Sequence, residues 1–322
     1  MKNSYTATRD LRIRAAFIIV VAAASWQSAV SPAAAQNPRV FTPSYEGKYP
    51  IVNSPGVKLG AYDPHGDFKD YPGDVIEGLF LPWQDVELAT LATADTYARA
   101  RGRSLLITVE PWSWAGDWRL TANELRDAIL GGRYDSTIAS VCTSIGKLKS
   151  DTTIRWGQEM ETTNGRWSWA GWNPPDYIAA YRRFVDHCRT YAPQATYMWS
   201  PKGEDNLVAY YPGDAYADSI GLSVFALQQY DNDKFGRDRT FSERLKPGYD
   251  LVARFNKPIV VAELGYVGEE PFNRNWAGEV TKEFAAFPKL TAVVYFNDKE
   301  VYPWPNPYGL PDWRVVGPAL AN

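Results

Sequence analysis

Two cysteines and two histidines in 322 residues offer no zinc-type spacing, and neither cysteine sits in a context that makes it a credible nucleophile. The net charge is only −3, with a pI near 5.6, so no excess of positive charge favours nucleic acid. No apolar run is long enough to cross a bilayer. The longest, Ala15 to Ala24, is well short of the ~20 residues required and is followed by Trp26, Gln27 and Ser28. No glycine-rich phosphate loop follows the first predicted strand, which argues against the nucleotide-binding kinds of open α/β sheet. Repeats, low-complexity tracts and Gly/Ser linkers are also missing, so the chain is read as one domain.

The N-terminus has a different character. Lys2, Arg9, Arg12 and Arg14 precede the short apolar run, and Ala33-Ala34-Ala35 follows it. A basic start, a short apolar centre and an Ala-x-Ala site predict a cleaved signal peptide over residues 1–35 and a secreted or periplasmic mature chain from 36 to 322, with no membrane segment in the mature form. Cys142 and Cys188 fall on neighbouring predicted helices. An oxidising compartment leaves a disulfide and two buried thiols both open.

Aromatic residues are plentiful, with 13 Trp and 20 Tyr. Many cluster beside Gly, Pro, Asn or Asp, as in the stretches Trp112–Trp118 and Trp167–Trp172. Such positions suit loops better than a periodic core. Flat apolar rings with polar edges match sugar rings, whose C–H faces are rimmed by hydroxyls; packing the loops together is the alternative role.

Short apolar runs alternate with amphipathic segments. Strands are predicted at 57–62, 77–81, 104–109, 152–156, 195–199, 219–224, 258–262 and 290–295. Helical periodicity falls at 85–101, 121–130, 136–148 and 176–191. Eight brief strands separated mainly by helices imply a parallel sheet closed into a (β/α)8 TIM barrel. Residues after the strand ends gather at its C-terminal mouth: Tyr62-Asp63-Pro64-His65, Glu110-Pro111-Trp112, Gln158-Glu159, Ser200-Pro201-Lys202, Gln228-Gln229-Tyr230, Glu263-Leu264-Gly265 and Phe296-Asn297-Asp298.

Two of these groups carry chemistry. Cleaving a glycosidic bond with retention takes one carboxylic acid to protonate the departing oxygen and one carboxylate, about 5–5.5 Å away, to attack the sugar carbon. Carboxyls at strands four and seven face each other across a narrow barrel. Glu159 and Glu263 occupy those positions.

The surrounding residues resemble glycoside hydrolase family 26, a family of retaining clan A enzymes. Arg155-Trp156-Gly157-Gln158-Glu159-Met160, with Asn164-Gly165-Arg166-Trp167-Ser168-Trp169, is similar to its acid/base segment. Tyr210-Tyr211-Pro212-Gly213-Asp214 leading to Asp218–Ser223 also resembles the family. Lys257-Pro258-Ile259-Val260-Val261-Ala262-Glu263-Leu264-Gly265 is similar to its nucleophile strand. The resemblance implies a cofactor-free double displacement, with Glu159 as acid/base and Glu263 as nucleophile. The implied substrate is a β-linked polysaccharide, β-1,4-mannan first and β-1,3/1,4-glucan second; some members cleave β-1,3-xylan.

The chain departs from the family twice. Gln158 stands where a histidine commonly precedes the acid/base, and strand six runs into Phe225 where a tyrosine often positions the nucleophile. Tyr230 is then the nearest candidate for that role. Trp167 is the expected sugar platform, with Trp112 and Trp304 as further candidates, and Arg155 is expected to order one of the carboxylates. Gln158 keeps a non-catalytic carbohydrate-binding barrel in view, and the covalent intermediate keeps a transglycosylase acting in exopolysaccharide processing in view. The expected partner is a polysaccharide or oligosaccharide, bound by a monomer.

Overall fold

The computed structural model describes residues 41–48, 50, 56–71, 73–112, 119–282 and 284–315; the predicted signal peptide lies outside them. Eight parallel strands close into one barrel in sequence order. They are β1 (Lys58–Tyr62), β2 (Asp74–Pro82), β3 (Ser104–Glu110), β4 (Thr152–Trp156), β5 (Thr196–Trp199), β6 (Ser219–Leu227), β7 (Ile259–Val267) and β8 (Leu290–Phe296). The helices between them are α1 (Thr90–Ala100), α2 (Ala122–Leu130), α3 (Asp135–Ile145), α4 (Pro174–Tyr191), α5 (Gln228–Phe235), α6 (Phe241–Val252) and α7 (Glu270–Lys282). The (β/α)8 barrel expected from the strand pattern is the fold observed.

Local sequence sets the helix starts. Thr121 and Glu124 form a capping box on α2, and Thr240 and Glu243 form another on α6. Asn173 caps α4, with prolines at its first two positions. The first helix begins at Thr90 rather than 85, because Asp85 has a left-handed backbone (φ 56°) that a helix cannot include.

Apolar residues pack in two bodies. The larger fills the space between strands and helices, including Ile107, Ile154, Tyr181, Phe184 and Val261. A smaller one, with Leu106, Met198, Val260, Ala262, Ala292 and Val294, fills the barrel's interior. Above that plug the interior turns polar, with Thr108, Arg155 and Ser200 all buried.

Cys142 on α3 and Cys188 on α4 form a disulfide, 46 residues apart in sequence. Closing a loop of that length removes denatured-chain entropy worth roughly 3–4 kcal/mol. Reduction should therefore lower the melting temperature by on the order of 5 °C, read by calorimetry with and without a thiol reductant. An unchanged melting temperature would show that the bridge contributes nothing.

Candidate active site

Two glutamates reach the mouth by different backbone devices. Glu159 lies three residues past β4, and both Gly157 (φ 56°) and Glu159 itself (φ 55°) are left-handed. The chain thereby turns sharply, and Glu159 N donates to Ser200 O at 2.9 Å, tying the turn to the end of β5. A non-glycine residue held in this region is strained, a condition that clusters at functional sites.

Glu263 is not beyond the end of its strand, as the apolar run suggested, but inside β7, which continues to Val267. A register shift against β8 between Val261 and Leu264 brackets it. Such irregularities re-aim a side chain beside active sites.

Beneath Glu263 lies Arg155, fully buried, whose Nη1 reaches Glu263 Oε1 at 2.7 Å. Arg155 Nε donates to Ser200 Oγ at 2.8 Å, and Nη1 donates to Thr108 Oγ1 at 3.4 Å. Gly221 makes room for this arrangement, since a Cβ there would collide with Ser200 Oγ. Of the two carboxylates, Arg155 thus orders Glu263.

The two acids are electrostatically joined and pull apart in pKa. Burial pushes Glu263 up to about 7, with Arg155 opposing and the charge of Glu159 adding to the rise. Burial also raises Glu159, but Arg166 and Lys202 outweigh it and hold that carboxyl below its ordinary value, with the Ser223 hydroxyl and Arg155 contributing less. Ser223 is also the register partner of Glu263. The pair therefore keeps one proton up to about pH 7. Titration of this kind belongs to the pair rather than to either member.

Trp167 Nε1 donates to Glu159 Oε2 at 3.2 Å, so this tryptophan orients the acid/base candidate. Its ring stacks on Trp169 at 4.8 Å and 18°, with the Arg166 guanidinium 4.3 Å from its centre. Trp112 completes the cluster, 5.1 Å from Trp167, and its Nε1 donates to Glu110 Oε2 at 3.1 Å. The other tryptophans of the 112–118 stretch lie outside the described residues. Gln158 is fully buried, and its Nε2 donates to Glu110 Oε1 at 3.0 Å. One hydrogen-bonded chain, Gln158–Glu110–Trp112, therefore braces the turn that carries Glu159.

Tyr230 and Trp304 pack against each other, and Trp304 lies 5.6 Å from Trp313, itself 5.0 Å from Phe225. Tyr230 is on α5, 5.4 Å from Trp304 and 5.1 Å from Tyr308. The tyrosine whose hydroxyl senses Glu263 is Tyr62, at the end of β1. Burial, and then the charges of Asp298, Glu110 and Glu263, raise its pKa to about 12.

Tyr62 belongs to an aromatic wall on the Glu263 side. Phe80 is 4.8 Å and Phe296 5.2 Å from Tyr62, and Phe225 is 5.9 Å from Phe296. Sequence reasoning quoted Tyr62, Ser223, Arg166 and Lys202 within its segments but gave none of them a role at the glutamates. A charge matters only through its distance to the glutamates. His65, another residue of the rim, pairs with Asp298 at 2.9 Å. Among the described residues, no group of three or more His, Cys, Asp and Glu side chains gathers as a metal site.

Residues 132–263, a span holding both glutamates, match the sequence model of glycosyl hydrolase family 26. The chain is similar to Endoglucanase H of Acetivibrio thermocellus, 24% identical over 242 residues, which cover 69% of this chain and 25% of that protein. It is also similar to a β-1,3-xylanase of a Vibrio species, 26% identical over 142 residues, or 42% of this chain and 28% of that one. This chain thus spans about a quarter of the length of the curated relatives it matches. Its fold is similar to that of a modular endo-β-1,4-mannanase from Cellulomonas fimi. That match has a TM-score of 0.59 at 18% identity and covers 76% of this chain and 65% of that chain.

Proposed function

From the match of residues 132–263 to glycosyl hydrolase family 26, we propose that the chain is a retaining endo-β-glycanase of that family. Glu263 attacks the anomeric carbon while Glu159 protonates the departing glycosidic oxygen. A glycosyl ester on Glu263 results; Glu159 then takes a proton from the water that attacks the same carbon, and the bond to Glu263 breaks to free the carboxylate. Two inversions at one carbon leave its configuration unchanged.

One observation carries this reading: a carboxyl just past β4 and one within β7 are both buried at the barrel's mouth, with Arg155 held against Glu263 at 2.7 Å. Arg155 favours the productive arrangement, with Glu263 ionised. The pH profile of kcat/KM should accordingly be bell-shaped, with its alkaline limb near 7.

β-1,4-Mannan is the first substrate to test and mixed-linkage β-1,3/1,4-glucan the second. The aromatic wall favours one further reading. Tyr62, Phe80, Phe225 and Phe296 offer a single hydroxyl among four rings, a poor match for an exocyclic CH2OH. A pentose lacks that group, so β-1,3-xylan joins the panel.

Purified protein would be assayed for reducing-sugar release on mannan, β-1,3-xylan, lichenan and an acidic exopolysaccharide. Proton NMR of the first product should show the β-anomer. The α-anomer appearing first, or no release from any polymer, would sink the proposal. We further read residues 1–35 as an export signal, a reading that the Cys142–Cys188 bridge supports.

A further inference from the structure

Side chains also meet across the barrel's mouth. Arg166 lies on the loop after β4 and Glu300 on the loop after β8, two strands that stand opposite each other in the eight-membered ring. Yet Arg166 Nη2 donates to Glu300 Oε1 at 2.8 Å, and Tyr302 Oη donates to Asn164 O at 3.3 Å. A contact between loops of opposed strands has to cross the opening. It does so next to Glu159, because the residue after Arg166 is the tryptophan that donates to that carboxylate.

Neither loop is built as a hinge. On the β4 side, Trp169 Nε1 donates to Gln158 O at 2.7 Å, Gly171 N to Met160 O at 2.9 Å, and Trp172 Nε1 to Ser168 O at 2.9 Å. On the β8 side, Glu300 N donates to Pro311 O at 2.9 Å and Trp304 N to Gly309 O at 2.7 Å. Glu300 Oε1 also accepts from Val301 N at 3.1 Å. Each loop is thus braced on its own side of the span, and side chains alone join the two.

We propose that this Arg166–Glu300 strap makes the site selective for unbranched glycan chains, with Glu300 as the residue that sets the selectivity. The inference rests on the glycanase reading above. A bare backbone is one sugar wide and lies in the groove with the strap closed over it. A branch on the residue beneath the strap keeps Arg166 away from Glu300. That forfeits a charge-assisted hydrogen bond between largely buried partners and draws a cation away from Glu159.

The test compares two soluble polymers with the backbone that the enzyme cuts, one bare and one carrying single-sugar branches; for mannan, these are linear mannan and galactomannan. Wild-type kcat/KM should favour the bare chain by about tenfold or more, a discrimination within the reach of one well-placed contact. Glu300→Gln keeps the acceptor for Val301 N but removes the charge. It should raise cleavage of the branched polymer until the preference falls to about threefold, with the bare polymer changed less than that. Tyr302→Phe removes the second contact and should give an intermediate ratio, so it carries the test if Glu300→Gln does not fold. Equal wild-type rates on the two polymers, or an unaltered preference in folded Glu300→Gln, would overturn this inference alone. No cleavage of either polymer would overturn the glycanase reading and this inference with it.

Discussion

Glu263→Gln should lower kcat by on the order of 10^4- to 10^6-fold, or roughly 5–8 kcal/mol of lost transition-state stabilisation. The amide fills nearly the same volume but cannot form the glycosyl ester. It also leaves the fully buried Arg155 without its carboxylate, so a modest fall in melting temperature accompanies the loss. Glu159→Gln separates the two roles. On a polysaccharide it should cost about 10^2- to 10^4-fold, the usual worth of a general acid. An aryl glycoside whose leaving group needs no proton should lose far less in its first step and release a burst of phenol. If the burst came from Glu263→Gln instead, the two assignments would be exchanged. If both variants kept wild-type activity while folded, neither residue would be catalytic.

Arg155→Met is expected to have the next largest effect, about 10^2- to 10^3-fold in kcat/KM, in line with removal of a single preorganised charge beside the reacting atoms. Its diagnostic is the pH profile. Arg155 lowers the Glu263 pKa, against a burial effect that raises it to about 7. Without the cation that pKa rises further, so the last proton leaves the pair at higher pH and the alkaline limb moves upward. At the same time a smaller share of the singly protonated pair has Glu263 ionised, so the maximum falls. A merely structural arginine would lower the melting temperature and leave the limb in place. Titrating kcat/KM in both proteins distinguishes these outcomes.

The barrel was legible in the sequence because its strands are apolar runs bounded by polar residues, and burial in the sheet demands that pattern. The strand ends were not. β6 continues through Phe225 to Leu227 and β7 through Gly265 to Val267, past glutamate, glycine and aromatic residues that read as loop. Glu159 and Glu263 were identifiable because their neighbours resemble a family. Their partners were hidden for a different reason. Arg155 was selected, but only coordinates tell which carboxylate it serves. Lys202 and Tyr62 act through space across loops and strands that the chain order separates widely, and Arg166, on the same loop as Glu159, acts through a distance that the sequence does not give. Tyr230 was chosen by proximity in sequence to β6, whereas the chain turns into α5 at Gln228 and carries it toward Trp304. The disulfide stayed open for the same reason, since two cysteines on adjacent helices do not reveal which faces meet.

With Glu159 as the proposed acid/base, its left-handed backbone would set activity against heat resistance at one position. Glycine, and to a lesser degree asparagine, adopts that conformation at lower cost than glutamate, whose penalty is about 1 kcal/mol or more. A selection that rewarded only survival of the folded barrel would thus drift toward small residues at 159 and arrive at a sturdier, inert protein. Keeping glutamate there is a tax on robustness that only turnover can justify, so libraries screened for thermotolerance should hold this codon fixed.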